Sequence, residues 1–214
     1  VRSRMVARLR AEGLGGEAVL AAMAQVPRHR FVDTALAPQA YEDTSLPIGH
    51  GQTISKPSVV ARMLGLLFEG EAARASGQLG RVLEIGTGCG YQAALLAALA
   101  HEVVSIERLK ALHDRARQHL ADWPRGRLQL VFGDGMVGHR ARAPYQSIIA
   151  AAGGESLPTA WVDQLSPGGR LVAPMWQDGA NNQVLMVVDK FLDGSVRQRA
   201  HDGVLFVPLK SGTV

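Results

Sequence analysis

The chain has 214 residues, 47% hydrophobic and 20% charged, a composition that fits one soluble globular domain and argues against a disordered or fibrous protein. Its net charge is +4, but the Lys and Arg residues are scattered without interleaved aromatics, so no nucleic-acid partner is expected. The longest wholly apolar run, about eight residues in AALLAALA, is far short of a membrane span, and no long apolar stretch follows the Arg-rich N-terminus as a secretory signal would require.

In chain order, the first 45 residues read as helices broken at QVPRHRF, with Met5, Val6 and Leu9 on one apolar face. The polar stretch GHGQTISKP, residues 49–57, precedes a helix opened by Pro57 that carries Val60, Met63, Leu64 and Leu67 on one side. EGEAARASGQLG reads as a hydrophilic connector. A β-α alternation follows: strand RVLEIG, helix YQAALLAALA, strand HEVVSIE, helix LKALHDRARQHLADW stopped by Pro124, strands LQLVFGD and YQSIIAAA, helix LPTAWVDQL ended by SPGG, and strand RLVAPM. Such alternation predicts a parallel sheet with helices on both faces. The tail, NQVLMVVDKF, SVRQRAHD and VLFVPL, holds two or three strands in succession and predicts an antiparallel edge. The expected layout is one α/β domain with an N-terminal helical and substrate-side segment over 1–56, a core over 57–180 and C-terminal strands over 181–214.

The candidate ligand loop is EIGTGCGYQ. Gly86, Gly88 and Gly90 stand between a strand and a helix, where glycine permits a tight turn and close approach of a ligand. The spacing is G-x-G-x-G, and Tyr91 occupies the place of the third small residue of a dinucleotide fingerprint. Glu84, two residues before the first glycine, would oppose a pyrophosphate and favour a ligand with an ammonium group. S-adenosylmethionine has an amino group, a sulfonium and no phosphate. Glu107, 21 residues after Gly86 at the next strand end, can accept both ribose hydroxyls, and Asp134 in GDG can accept from the adenine amino group. The alternative is a turn aspartate that stabilises its own loop. The single cysteine, Cys89, has no base beside it and reads as a packing residue, and the seven histidines show no metal-ligand spacing. Ser55 divides evenly between orienting an acceptor and capping the helix before Pro57.

LPIGHGQTISKPSVVARML, VLEIGTGCGYQAALLA, SIER, GDG, SPGGRLVAP and FVPL together are similar to the protein-L-isoaspartate O-methyltransferase family, over nearly the whole chain. The resemblance implies a class I methyltransferase with a Rossmann-like sheet, N-terminal helices and a C-terminal extension. It would use S-adenosylmethionine to esterify the α-carboxylate of L-isoaspartyl residues in damaged proteins, leaving S-adenosylhomocysteine, and the ester would collapse to a succinimide. It implies Ser55 as the active-site serine, flanked by Thr53 and Ile54, with Phe206, Val207 and Pro208 along the substrate peptide. The cofactor set would be Glu84, Gly86, Thr87, Gly88, Gly90, Glu107, Arg108, Asp134 and Gly135. No metal is implied, and a cytoplasmic monomer is expected. Three positions depart from the family pattern: Cys89 for a serine, Gln146 for an acid and Ala151 for a threonine. They leave open a methyltransferase of the same fold acting on another carboxylate or a small molecule.

Overall fold

A computed structural model describes residues 1–123, 127–177 and 182–214. Two helices open the chain, α1 (Arg2–Ala11) and α2 (Gly16–Gln25), followed by 3-10 turns at Arg28–Phe31 and Thr34–Gln39. Met5, Val6 and Leu9 are buried as the periodicity requires. Two short antiparallel strands, β1 (Leu46–Gly49) and β2 (Gln52–Ile54), then form a hairpin ahead of α3 (Pro57–Phe68).

The α/β core comprises β3 (Arg81–Ile85), α5 (Tyr91–Leu99), β4 (Glu102–Glu107), α6 (Lys110–His119), β5 (Leu128–Phe132), β6 (Tyr145–Ala150), α7 (Thr159–Gln164) and β7 (Leu165–Trp176). β8 (Gln183–Lys190) and β9 (Val196–Val204) complete it. Spatial order in the sheet is β5-β4-β3-β6-β7-β8-β9. The first five of these strands run parallel, and β8 and β9 are antiparallel additions. Strand residues alternate between two cores. Val82, Val103, Ile149 and Val172 face α2, α3 and α5, while Leu83, Val104, Ile148 and Leu171 face Trp161 on the other side. The chain order reverses between β3 and β6, so the crevice at their C-terminal ends is the natural ligand position of an open α/β sheet.

Some expectations need correction. The supposed connector contains α4 (Glu71–Ser76), closed by Gly77 at φ 71°. Only Ala73 of α4 is buried, so one turn left no apolar period to read. SPGG is not a loop, because β7 begins at Leu165 directly after α7 and runs through it. The tail holds two strands, within the two or three expected: β9 ends at Val204, and beyond it a single bridge among the described residues joins Pro208 to Gly153. The hairpin at 46–54 also escaped the sequence reading. α6 ends at His119, short of the Trp123 end and the Pro124 stop expected from sequence; Pro124 itself and the boundary at 180/181 lie outside the described residues.

Candidate active site

A cavity of about 380 Å³ opens at the C-terminal ends of β3, β4 and β6. Its floor is the turn after β3. Gly86 and Thr87 donate their N–H groups to the Ile106 carbonyl of the neighbouring strand at 2.8 and 3.2 Å, which ties the loop to β4. Gly86, Gly88 and Gly90 have φ of 91°, 55° and 93°, a left-handed run that side chains resist, and Gly90 is the N-cap of α5.

Glu107 ends β4 at the cavity wall and is 5% exposed. Its Oε2 accepts from the Gly88 N–H and its Oε1 from the Leu109 N–H, each at 2.9 Å. A carboxylate has about four acceptor positions, so both oxygens keep a lone pair for a diol. Thr87, Arg108 and Gly135 also line the cavity. The Arg108 side chain is engaged with the tail, its Nε donating to the Gly212 carbonyl at 2.9 Å.

Glu84 and Asp134 are placed differently from the expectation. In register beside Ser105, Glu84 is fully buried beneath the loop and absent from the cavity lining. Thr87 donates to the Ser105 hydroxyl, which donates to Glu84, and Gln92 Nε2 donates to the other oxygen at 3.1 Å. The carboxyl therefore organises the loop from below rather than meeting an ammonium directly. Burial, only partly opposed by these hydrogen bonds, lifts it to a pKa of about 8. The folded state thus holds a proton that the unfolded chain releases near its ordinary value of 4.5. The resulting stability is complete below that value and is lost as pH rises toward about 8. Glu84→Gln should flatten the fall in unfolding free energy between about pH 5 and about pH 8. Urea denaturation across that range checks this, and a slope unchanged from wild type would remove Glu84 as its source.

Asp134 accepts from Met136 N–H at 2.9 Å and from Gly212 N–H at 2.7 Å. It fixes its own turn and anchors the tail, and it does not line the cavity, whereas its neighbour Gly135 does.

The hairpin forms the opposite wall. Gly49, His50 and Gly51 have φ of 88°, 55° and 68°, so the turn is left-handed throughout. It is held to α6 by Arg115, whose Nη1 donates to the Ile48 carbonyl. Thr53, Ile54 and Ser55 all reach the cavity, as do Val207 and Pro208 of the tail. Phe206 instead lines an adjoining groove of about 440 Å³ that shares Thr53, Ser55, Ala151 and Val207 with the cavity. Gly153 pins the tail, donating to the Val207 carbonyl and accepting from Leu209 N–H, both at 2.8 Å.

Ser55 is not the cap of α3. Lys56 is its N-cap residue and makes no side-chain cap bond, while Asp43 accepts the Ser58 N–H at 2.8 Å and the Ser58 hydroxyl at 2.7 Å. Cys89 is buried and its thiol is pushed up to about 11 by desolvation, as suits a packing residue. Of the departures, Gln146 lies away from the cavity and accepts from Arg81 N–H at 2.7 Å, whereas Ala151 lines both cavity and groove. Among the described residues no cluster of His, Cys, Asp and Glu could hold a metal, and no helix is long and apolar enough to cross a membrane. His50, Tyr91 and Lys210 also line the cavity and were not singled out from sequence. The GHG triplet and the first helical residue after the loop were the available signals.

A profile of the family described as protein-L-isoaspartate(D-aspartate) O-methyltransferase (PCMT) matches residues 1–214. A protein-L-isoaspartate O-methyltransferase of Leptothrix cholodnii is 65% identical over 99% of this chain and 74% of its own length. One of Methylibium petroleiphilum is 62% identical over 100% and 78%, and one of Burkholderia pseudomallei is 54% identical over 100% of this chain and 64% of its own length. A solved protein-L-isoaspartate O-methyltransferase superposes with a TM-score of 0.83 at 25% identity, covering 99% of this chain and 66% of that one. A Plasmodium falciparum chain, crystallised as a candidate of the same kind in complex with S-adenosyl-L-homocysteine, shares the fold with a TM-score of 0.83 at 23% identity, covering 98% of each chain. With the profile matched from end to end and relatives this similar, the chain belongs to the protein-L-isoaspartate(D-aspartate) O-methyltransferase family.

Proposed function

We propose that the chain is a single-domain S-adenosylmethionine-dependent protein carboxyl O-methyltransferase acting on the free α-carboxylate of L-isoaspartyl residues in damaged proteins. The observation that carries this reading is the junction at Ser55. Its side chain makes no hydrogen bond among the described residues, and it stands where the glycine-loop cavity meets the groove under the tail. One compartment suits a nucleoside donor, and the other suits an extended peptide.

The residues present fit the donor. Glu107 keeps acceptor capacity for ribose hydroxyls, the loop glycines allow close approach, and Ile85, Ile106, Leu109 and Leu112 offer apolar walls. When bound, S-adenosylmethionine supplies an electrophilic methyl group whose sulfonium is its own leaving group. The acceptor carboxylate titrates at about pH 4 in water, so it is already a nucleophile at neutral pH and needs no general base. This accounts for a site without a Ser-His-Asp or Cys-His set. The protein's work is to orient the reactants: Ser55 and Thr53 hold the acceptor and Val207 and Pro208 flank its backbone. Such positioning is worth ~7–11 kcal/mol of barrier in favourable cases.

The same reading takes the enzyme as a cytoplasmic monomer without a nucleic-acid partner, consistent with a single buried cysteine. The deciding experiment is methyl transfer to an isoaspartyl peptide and to its aspartyl twin. Turnover of the first alone is expected. Turnover of neither, with the donor bound, would move the acceptor to another carboxylate or a small molecule, the second reading that Ala151 at the junction favours.

A further inference from the structure

Arg28 is 0% exposed, in the 3-10 turn that follows α2. A guanidinium at that depth normally has a carboxylate partner, because an unpaired buried charge is costly. Arg28 forms no ion pair among the described residues. Its Nε donates to the Ala40 carbonyl at 2.7 Å and its Nη2 to the Ser55 carbonyl at 2.8 Å. Its guanidinium carbon lies 5.0 Å from the centroid of the Tyr91 ring. Among the described residues Nη1 has no partner, and neither has the buried Tyr91 hydroxyl. Asp43, a carboxylate that acts on Arg28 through space, is taken by Ser58 and lies 3.9 Å from Arg8. A fixed positive charge with no directly paired carboxylate among the described residues therefore sits behind Ser55, beside a tyrosine that lines the cavity.

We propose that Arg28 is the positioning residue for the acceptor carboxylate: it fixes the Ser55 end of the hairpin and supplies the positive field that attracts an anionic acceptor to that spot. The inference rests on the carboxylate-acceptor reading above. It has a definite sign. In the reaction a lone pair of the carboxylate oxygen forms the O–CH3 bond, the C–S bond breaks with its electrons returning to sulfur, and no proton moves. The acceptor's negative charge is being lost in the transition state. A nearby cation therefore favours the bound carboxylate over the transition state. Loss of that field weakens acceptor binding more than it slows the bound reaction, and loss of the hold on Ser55 accounts for any fall in kcat.

Arg28→Met and Arg28→Lys test this, read by kcat and KM for an isoaspartyl peptide, by equilibrium binding of that peptide to protein loaded with S-adenosylhomocysteine, and by S-adenosylhomocysteine affinity. Arg28→Met should raise the peptide KM and Kd roughly tenfold or more, as loss of a charge-assisted interaction does. It should lower kcat by less than it raises the peptide KM and Kd, and leave S-adenosylhomocysteine binding nearly intact. Arg28→Lys keeps the charge without the fork and should fall between. If the methionine variant fails to fold, a raised peptide Kd in the lysine variant still supports the proposal. An unchanged peptide Kd in folded variants, or equal losses in kcat and S-adenosylhomocysteine affinity, would overturn it. A wild-type protein that neither binds nor methylates the isoaspartyl peptide would overturn the functional reading itself, a separate outcome.

Discussion

Replacing Glu107 by alanine should weaken S-adenosylmethionine binding by more than roughly tenfold, the effect of losing about 1.4 kcal/mol or more of charge-assisted hydrogen bonding. The position follows from register. β3 pairs with β4 so that Ile85 faces Ile106, which places Glu107 one residue beyond, against the glycine loop. Its oxygens already receive Gly88 and Leu109 N–H, so the carboxylate is held in one orientation before any ligand arrives. Alanine removes the diol acceptors and also leaves two backbone donors without their partner, each worth ~1–3 kcal/mol when buried. Glu107→Gln, which keeps one acceptor oxygen, should fall between. Calorimetric titration with S-adenosylhomocysteine reads the effect directly. Affinity equal to wild type in the alanine variant would take Glu107 out of the ribose site.

The sheet elements that frame the cavity were largely legible because their determinants are local. Apolar strand runs, a glycine turn and an acid at the next strand end announce β3, α5 and β4, and these lie where expected. What escaped was set by contacts distant in sequence or by turns too short to have a period. The hairpin has strands of four and three residues around a left-handed GHG turn, so alternation had no room to show. Asp134 looked like a ligand acid, but one of its oxygens is claimed by Gly212, 78 residues away. Glu84 looked exposed to a ligand, but Ser105 and Gln92 hold it under the loop. Arg28 lay in a stretch read only as a helix break, and its bond to Ser55 spans 27 residues. The acceptor itself was read from resemblance, since spacing alone distinguishes no carboxylate from another.

Ser55→Ala should lower kcat/KM for an isoaspartyl peptide by roughly ten- to a hundredfold, the range expected when a hydrogen bond to a charged group is lost at ~1.5–3 kcal/mol. Affinity for S-adenosylhomocysteine should stay within about twofold, since Glu107 and the glycine loop hold the donor independently. The asymmetry follows from what Ser55 does and does not touch. Helix α3 is capped by Asp43 through Ser58, so the substitution costs no cap. The backbone of Ser55 is held by Arg28 through its carbonyl, which alanine preserves. Only the hydroxyl disappears, and it is free among the described residues, at the boundary of cavity and groove. The serine is an orienter and not a nucleophile, because an ionised acceptor needs no activated partner and no base is hydrogen-bonded to the hydroxyl. The variant should therefore show no new pH dependence in kcat, and its loss should appear at every pH where the peptide carboxylate is ionised. Peptide kinetics at two pH values beside a calorimetric titration separate the cases. Equal losses in turnover and donor affinity would assign Ser55 to the fold or the cofactor instead.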